Sequence, residues 1–176
     1  MEYGVGDVSI AATAVVCKTA VLEGNIRIGK GTVLHPKCRV IAEGGPIHIG
    51  SNNIVEELAC IHNRSTTGET LEIGDNNAIE IGAVVHAKRI GNNNVIEAKA
   101  KLGEGCVIGN GCTIGMAVVV GSNDGVSDGT VVFGERNAQR KAEDAKEAHL
   151  AIHIRHLRIL HQTLPKYNQV LKPSST

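Results

Sequence analysis

From Ile90 onward the chain returns to a branched aliphatic residue at every sixth position: Ile96, Leu102, Ile108, Ile114, Val120, Val126 and Val132. Six is neither the 3.6-residue period of a helix nor simple alternation. The same step runs through Ile10, Val16, Leu22, Ile28, Leu34 and Val40, and two triplets, Ile49, Val55, Ile61 and Ile73, Ile79, Val85, lie between the runs. The register slips near 41–48 and 62–72, where short inserted loops are expected, and one residue is lost before Ile90. Two positions before each aliphatic the residue is usually small, as at Ala14, Ala20, Thr32, Cys38, Ala59, Ala100, Cys106 and Cys112.

Two inward residues per hexad describe a short strand, and nearby Gly or Asn describes a tight turn with positive φ. Strands that turn without reversing their pairing wind into a coil, and three of them close a triangular rung stacked about 4.8 Å from the next. Assigning the hexads in rotation to faces A, B and C tests this. The residue after the aliphatic on face A is Gly29, Gly50, Gly74, Gly91 and Gly109. Face B gives Cys17, His35, Glu56, Glu80, Glu97 and Gly115; face C gives Glu23, Ile41, His62, His86, Gly103 and Gly121. A wrong period would scatter the face-A glycines. The fold expected is an all-β solenoid, a parallel β-helix of about seven triangular turns, followed by a C-terminal α-helix.

Composition suits that core. There is no Trp, one Phe and two Tyr among 176 residues, so Val, Ile, Leu and Ala must fill the interior. Five cysteines without a CxxC pair argue against a disulfide framework, and the small inward ones read as packed thiols. The first ten residues lack the basic and apolar regions of a signal peptide, no apolar run approaches the ~18 residues of a membrane span, and Asn63-Arg64-Ser65 reads as a chance sequon. A cytoplasmic location is expected. The formal net charge of zero hides an asymmetry: residues 1–135 hold ten Lys/Arg against fifteen Asp/Glu, and residues 136–176 hold eight against three. The chain therefore divides into a hexad body, 1–135, and a basic arm, 136–176. Within the arm Leu150, Ile154, Leu157, Leu160 (or His161) and Leu164 recur at three and four, which predicts one amphipathic helix over about 138–164, ended by Pro165. Glu56, Glu80 and Glu97 stack as like charges, and a basic helix laid along their face would relieve the repulsion.

Two enzyme classes use such a coil. Gamma-class carbonic anhydrases hold zinc with three histidines on stacked turns. Here His62 and His86 fall in one column, but His35 lies on another face and the paired HxxxxH spacing is absent, so the two form a vestigial pair. His149, His153 and His156 have helical spacing without a carboxylate or Cys to complete a metal set, and read as a solvated or interface face. Hexapeptide acyltransferases need a histidine base beside an acyl-donor groove; His62, at the mouth of HNRSTTGETLE, is the candidate, with no evident partner to orient it. No catalytic, cofactor or metal set is complete. The first hexad begins near Val8, which leaves an open strand edge for stacking onto another β-helix. A structural subunit fits better than an enzyme, with the acidic column Glu56, Glu80, Glu97 and the stripe Leu150, Ile154, Leu157, Leu164 as candidate partner surfaces.

The stretches VLHPKCRVIAEGGPIHIGSNNIVEE (33–57), IGDNNAIEIG (73–82), RIGNNNVIEAKAKLG (89–103) and LPKYNQVLK (164–172) resemble the dynactin subunit 6 family, over roughly residues 8–172. The members are hexapeptide-repeat, left-handed β-helix subunits of the dynactin pointed-end complex. The resemblance implies left-handedness and a non-enzymatic role without cofactor, nucleic acid or membrane insertion. It also implies pairing with the other β-helix subunit (subunit 5), with the pointed-end actin-related protein and the large zinc-containing subunit as neighbours. The assembly would support attachment of cargo and adaptors in dynein-driven transport along microtubules.

Overall fold

A computed structural model describes residues 6–142 and 146–174 and has the expected architecture, a β-solenoid of about seven turns with one C-terminal helix. Face B is a ladder of parallel strands: Val15–Val16, Val33–Leu34, Ile54–Val55, Ala78–Ile79, Val95–Ile96, Thr113–Ile114 and Thr130–Phe133. Its register is strict, with Ile96 opposite Ile79 on one side and Ile114 on the other. Leu34, Ile61, Ile79, Ile96, Leu102, Ile108 and Ile114 are all fully buried. Each contributes on the order of 1.5–3 kcal/mol, so like stacked on like builds one continuous core.

The insertion at 41–48 is not a loop. Faces A and C share one sheet because two strands, Val21–Ile28 and Arg39–Ile49, run unbroken around the corner between them. The extra residues pair outward instead of leaving the ladder: Ile41 and Ala42 lie opposite His62 and Asn63, and the register shift falls between Gly24 and Ile26. The 62–72 insertion leaves the ladder as a loop after Cys60–Asn63 and rejoins at Leu71–Ile73. Asn63 ties it down, donating to Pro46 O at 2.9 Å and Glu69 O at 2.8 Å. The side-chain nitrogen that a glycan would need is thus engaged.

The face-A glycines serve a different purpose from the one their turn position suggests. Left-handed φ falls two residues later, at Gly31, Asn52, Asn76, Asn93 and Gly111, and again at Gly129, two residues after Ser127. Gly74 is needed because its backbone abuts the next rung: a Cβ there would sit 2.7 Å from Gly91 O and 2.2 Å from the Asn92 side-chain oxygen. The residue after each left-handed position turns inward. Thr32, Asn53, Asn77 and Asn94 are buried at that corner and form a ladder of their own. Asn53 N–H donates to Thr32 Oγ1, Asn77 N–H to Asn53 Oδ1, Asn94 N–H to Asn77 Oδ1 and Cys112 N–H to Asn94 Oδ1, at 2.7–3.1 Å. The side-chain amides donate in turn to Gly74 O, Gly91 O and Gly109 O. The buried asparagines of this ladder are thus satisfied on both sides, as low dielectric requires.

The C-terminal arm differs from expectation at both ends. Gly134 and Asn137 take positive φ and reverse the chain, and Ala138–Lys141 pairs antiparallel with Thr130–Phe133, covering the last face-B edge. The helix runs Lys146–Tyr167, with Pro165 inside its last turn, where a missing N–H removes only a terminal bond. Part of the helix predicted from 138, residues 143–145, lies outside the described residues. The helix lies on the outer face of B. Leu157 and Leu160 are buried against Val33 and Ile54, with Leu164 and Val15 beside them. Leu150 is half-buried, whereas Ile154 is turned to solvent and His153 and His161 take inward places. The first-turn edge is covered by the chain itself: Leu171 N–H donates to Val16 O, Lys18 N–H to Gln169 O and Ser174 N–H to Ile10 O, at 2.8–3.0 Å. The last two residues of the PSST tail lie outside the described residues.

Two stability measurements check this description. Asn77→Val leaves the Asn94 N–H and the Gly91 carbonyl buried without partners, and is expected to lower stability by about 2–4 kcal/mol in urea unfolding. Leu160→Ala removes the centre of the helix clasp, and should cost about 2–4 kcal/mol and speed tryptic cleavage at Arg155 and Arg158 while the hexad core stays resistant.

Candidate interaction surfaces and the histidine column

Parallel stacking carries each sequence column into a physical one. His62 and His86 are neighbours on adjacent rungs, their rings edge to face at 5.7 Å between centroids. The corner insertion supplies what the sequence did not offer, because Glu43 Oε2 lies 2.7 Å from His62 Nε2. Glu43 belongs to no hexad column, so the six-residue count could not pair it. His86 is held below the ordinary histidine range, mainly by burial and then by the positive charge of Arg64. His35 lies on face B, buried, with Glu57 3.8 Å from its Nδ1. No group of three His, Cys, Asp or Glu placed to hold a metal ion occurs among the described residues. The helix histidines also separate: His153 Nε2–H donates to Asn52 O at 2.7 Å, while His156 is exposed. The inward cysteines are shielded thiols. Burial pushes Cys38 up to about 12 and Cys106 up to about 11, which keeps both protonated and poor nucleophiles.

The acidic column is present, and it is held by backbone and not by the helix. Glu56 Oε2 accepts from Ile81 N–H at 3.2 Å, Glu80 Oε2 from Ala98 N–H at 3.0 Å and Glu97 Oε2 from Met116 N–H at 2.8 Å. Each carboxylate therefore caps the turn of the following rung. The basic helix does lie on face B, but what joins it to the sheet is aliphatic packing and two histidine–carbonyl bonds, from His153 and from His161 to Gly31 O. No ion pair links it to the column among the described residues. Toward its N-terminal half the helix and face B flank an open groove of about 520 Å³ between Val95, Val131, His149 and Leu150. No helix of the described residues is long and apolar enough to cross a membrane.

The repeat, the three-sided ladder and the terminal helix define a hexapeptide-repeat β-helix protein. Residues 87–122 match the family model described as bacterial transferase hexapeptide (six repeats). A hexapeptide transferase family protein from Anaplasma phagocytophilum shares the fold at a TM-score of 0.83 and 16% identity, over 92% of this chain and 96% of that one. Closer in sequence is dynactin subunit 6 of Nematostella vectensis, 36% identical over 94% of this chain and 92% of the relative. Dynactin subunit 6 of Danio rerio is 35% identical over 97% and 91%. The chain belongs to the dynactin subunit 6 family.

The electrostatics of the column are directly measurable. Partial burial raises the Glu80 carboxyl; the Ala98 N–H opposes the shift, and Glu56 and Glu97 add to it. The folded state therefore keeps this proton to higher pH than the unfolded chain does. The stability it contributes is complete below the ordinary carboxylate pKa and is lost as pH rises through the raised value. Glu80→Gln keeps an acceptor for Ala98 N–H and removes the charge. Its melting temperature should exceed the parent's at pH 7.5 and match it near pH 4.

Proposed function

We propose that the chain is a non-catalytic structural subunit of dynactin, acting at the pointed end in the cytoplasm. It pairs there with the other β-helix subunit (subunit 5), beside the pointed-end actin-related protein and the large zinc-containing subunit. In that position it supports attachment of adaptors and cargo to dynein-driven, microtubule-based transport. The observation that carries this reading is the reach of the likeness: relatives named dynactin subunit 6 align over nine-tenths or more of both chains, prism and arm together. The geometry agrees in kind. A ladder with satisfied interior amides is a stiff body, and its outward rows are free to make contacts without disturbing the core. Because the C-terminal segment already lies on the Val15–Val16 edge, the first-turn surface offered to a neighbouring β-helix is the start of the strand Val21–Ile28, which no strand among the described residues pairs on that side, with the opposite end as the alternative.

The carboxylate-oriented histidine, His62 with Glu43, favours one competing reading, in which His62 acts as a general base in acyl transfer or hydration. Co-expression separates the two. The chain is expected to elute with the other β-helix subunit as a stable one-to-one complex by sedimentation, and His62→Gln should leave that assembly intact. Turnover of acetyl-coenzyme A or CO₂ by the purified chain, abolished by His62→Gln, would replace the structural reading.

A further inference from the structure

The corner between faces B and C carries a row of apolar side chains that nothing among the described residues covers. Leu58, Ile81 and Met116 are 60%, 43% and 67% exposed, and Phe133, on the rung after Met116, is 44% exposed. The rungs are locked in register there: Gly82 N–H donates to Glu57 O, Lys99 N–H to Ile81 O and Ala117 N–H to Ala98 O. Register therefore puts Ile81, Ala98 and Met116 in one column along the prism axis, with Leu58 one position to the side in the column of Gly82, Lys99 and Ala117, and Phe133 in the column of Glu97 and Gly115. Leu58 also occupies the left-handed region, φ 61°, which Gly82 occupies one rung on. A bulky residue is an unfavourable choice in that region. The corner between faces A and B, by contrast, presents Ser51, Asp75, Asn92, Asn110 and Asp128.

Two further observations describe what this row can accept. First, the backbone at the corner is already used. The N–H groups of Ile81, Ala98 and Met116 go to the glutamate column, and those of Gly82, Lys99 and Ala117 go to carbonyls of the preceding rung. A strand cannot add there, so an occupant must bind through side chains alone. Second, Glu56, Glu80 and Glu97 run alongside the row, with no cation within salt-bridge reach among the described residues.

We propose that this corner is a docking strip for a basic amphipathic helix of a partner protein. Its apolar residues would sit on Leu58, Ile81 and Met116, and its Lys or Arg side chains would reach Glu56, Glu80 and Glu97. Three rung spacings separate Leu58 from Met116, about 14 Å, which about ten helical residues span. The proposal stands on the corner itself and does not depend on which complex the chain enters.

The test uses the full chain, isotope-labelled, titrated with a synthetic helical peptide that carries a leucine stripe flanked by lysines. A peptide with glutamates in place of the lysines is the control. Amide shifts are expected to concentrate at 56–58, 80–82, 97–99 and 115–117. Leu58→Ser with Met116→Ser should weaken binding about tenfold. Glu56→Gln, Glu80→Gln and Glu97→Gln together keep the backbone acceptors and should abolish the salt dependence. Cooperative melting at a temperature no lower than the parent's would confirm that the variants fold, and shift mapping on the parent chain needs no variant. The proposal is overturned by absence of binding, by equal binding of the glutamate peptide, or by shifts in the groove at Val95 and Leu150. A doubled mass of the free chain that Leu58→Ser abolishes would also overturn it, by making the occupant a second copy.

Discussion

Each rung of this protein gives its backbone hydrogen bonds to the rungs on either side, at a fixed rise and in fixed register. Most other features follow from that constraint. Side chains one turn apart are forced into contact, so every column must be a set of residues that tolerate their own kind. Aliphatics do so by packing, and glycines by leaving room, as Gly74 does against Gly91. Asparagines do so because one amide can accept from the next backbone and donate to the next carbonyl. Glutamates would repel, and the chain avoids much of the penalty by using each carboxylate to cap the following turn.

The same rule makes the ends of the coil its exposed points, since a terminal rung has hydrogen-bonding groups and no neighbour. The chain covers much of both from its own C-terminal arm. Ala138–Lys141 closes the last face-B edge, and the segment after the helix runs antiparallel to the first. The helix joins the two ends along the outside of face B, held by Leu157, Leu160 and Leu164. The arm is therefore a strap along the prism. Its basic charge is left on the outer surface and does not neutralise the acidic column.

The histidine column shows how far a repeat can be read as chemistry. His62 and His86 come together because stacking makes them, not because a ligand set was assembled around them. The carboxylate that engages His62 arrives from the widened corner, where Arg39–Ile49 continues past the ordinary length of a rung. A fold whose members include transferases thus carries here a histidine pair on a face whose remaining column positions are Glu23, Ile41, Gly103 and Gly121. Membership of the dynactin subunit 6 family accounts for the prism, and the likeness to transferases is one of fold alone.

The six-residue period by itself determined the coil, its three faces, the main ladder of core aliphatics and the columns containing Glu56, Glu80, Glu97, His62 and His86, because a fixed rise turns sequence distance directly into spatial distance. It did not single out Ile26, Ile47 and Leu71, which fill the inward places where small residues were expected. Asn53, Asn77 and Asn94 lay in view but read as turn residues. Adjacent asparagines look alike in a string, and only the backbone angles separate the left-handed Asn52, Asn76 and Asn93 from the inward ones. Whatever falls outside the period was decided by tertiary structure alone: Glu43 against His62, the insertion at 41–48 as extended strand, the hairpin at Ala138–Lys141, the inward turn of His153 in place of Ile154, and the tail along the first edge. These contacts join residues as far apart as Ile10 and Ser174. No local periodicity encodes such pairs, and only the folded chain brings them within hydrogen-bonding distance.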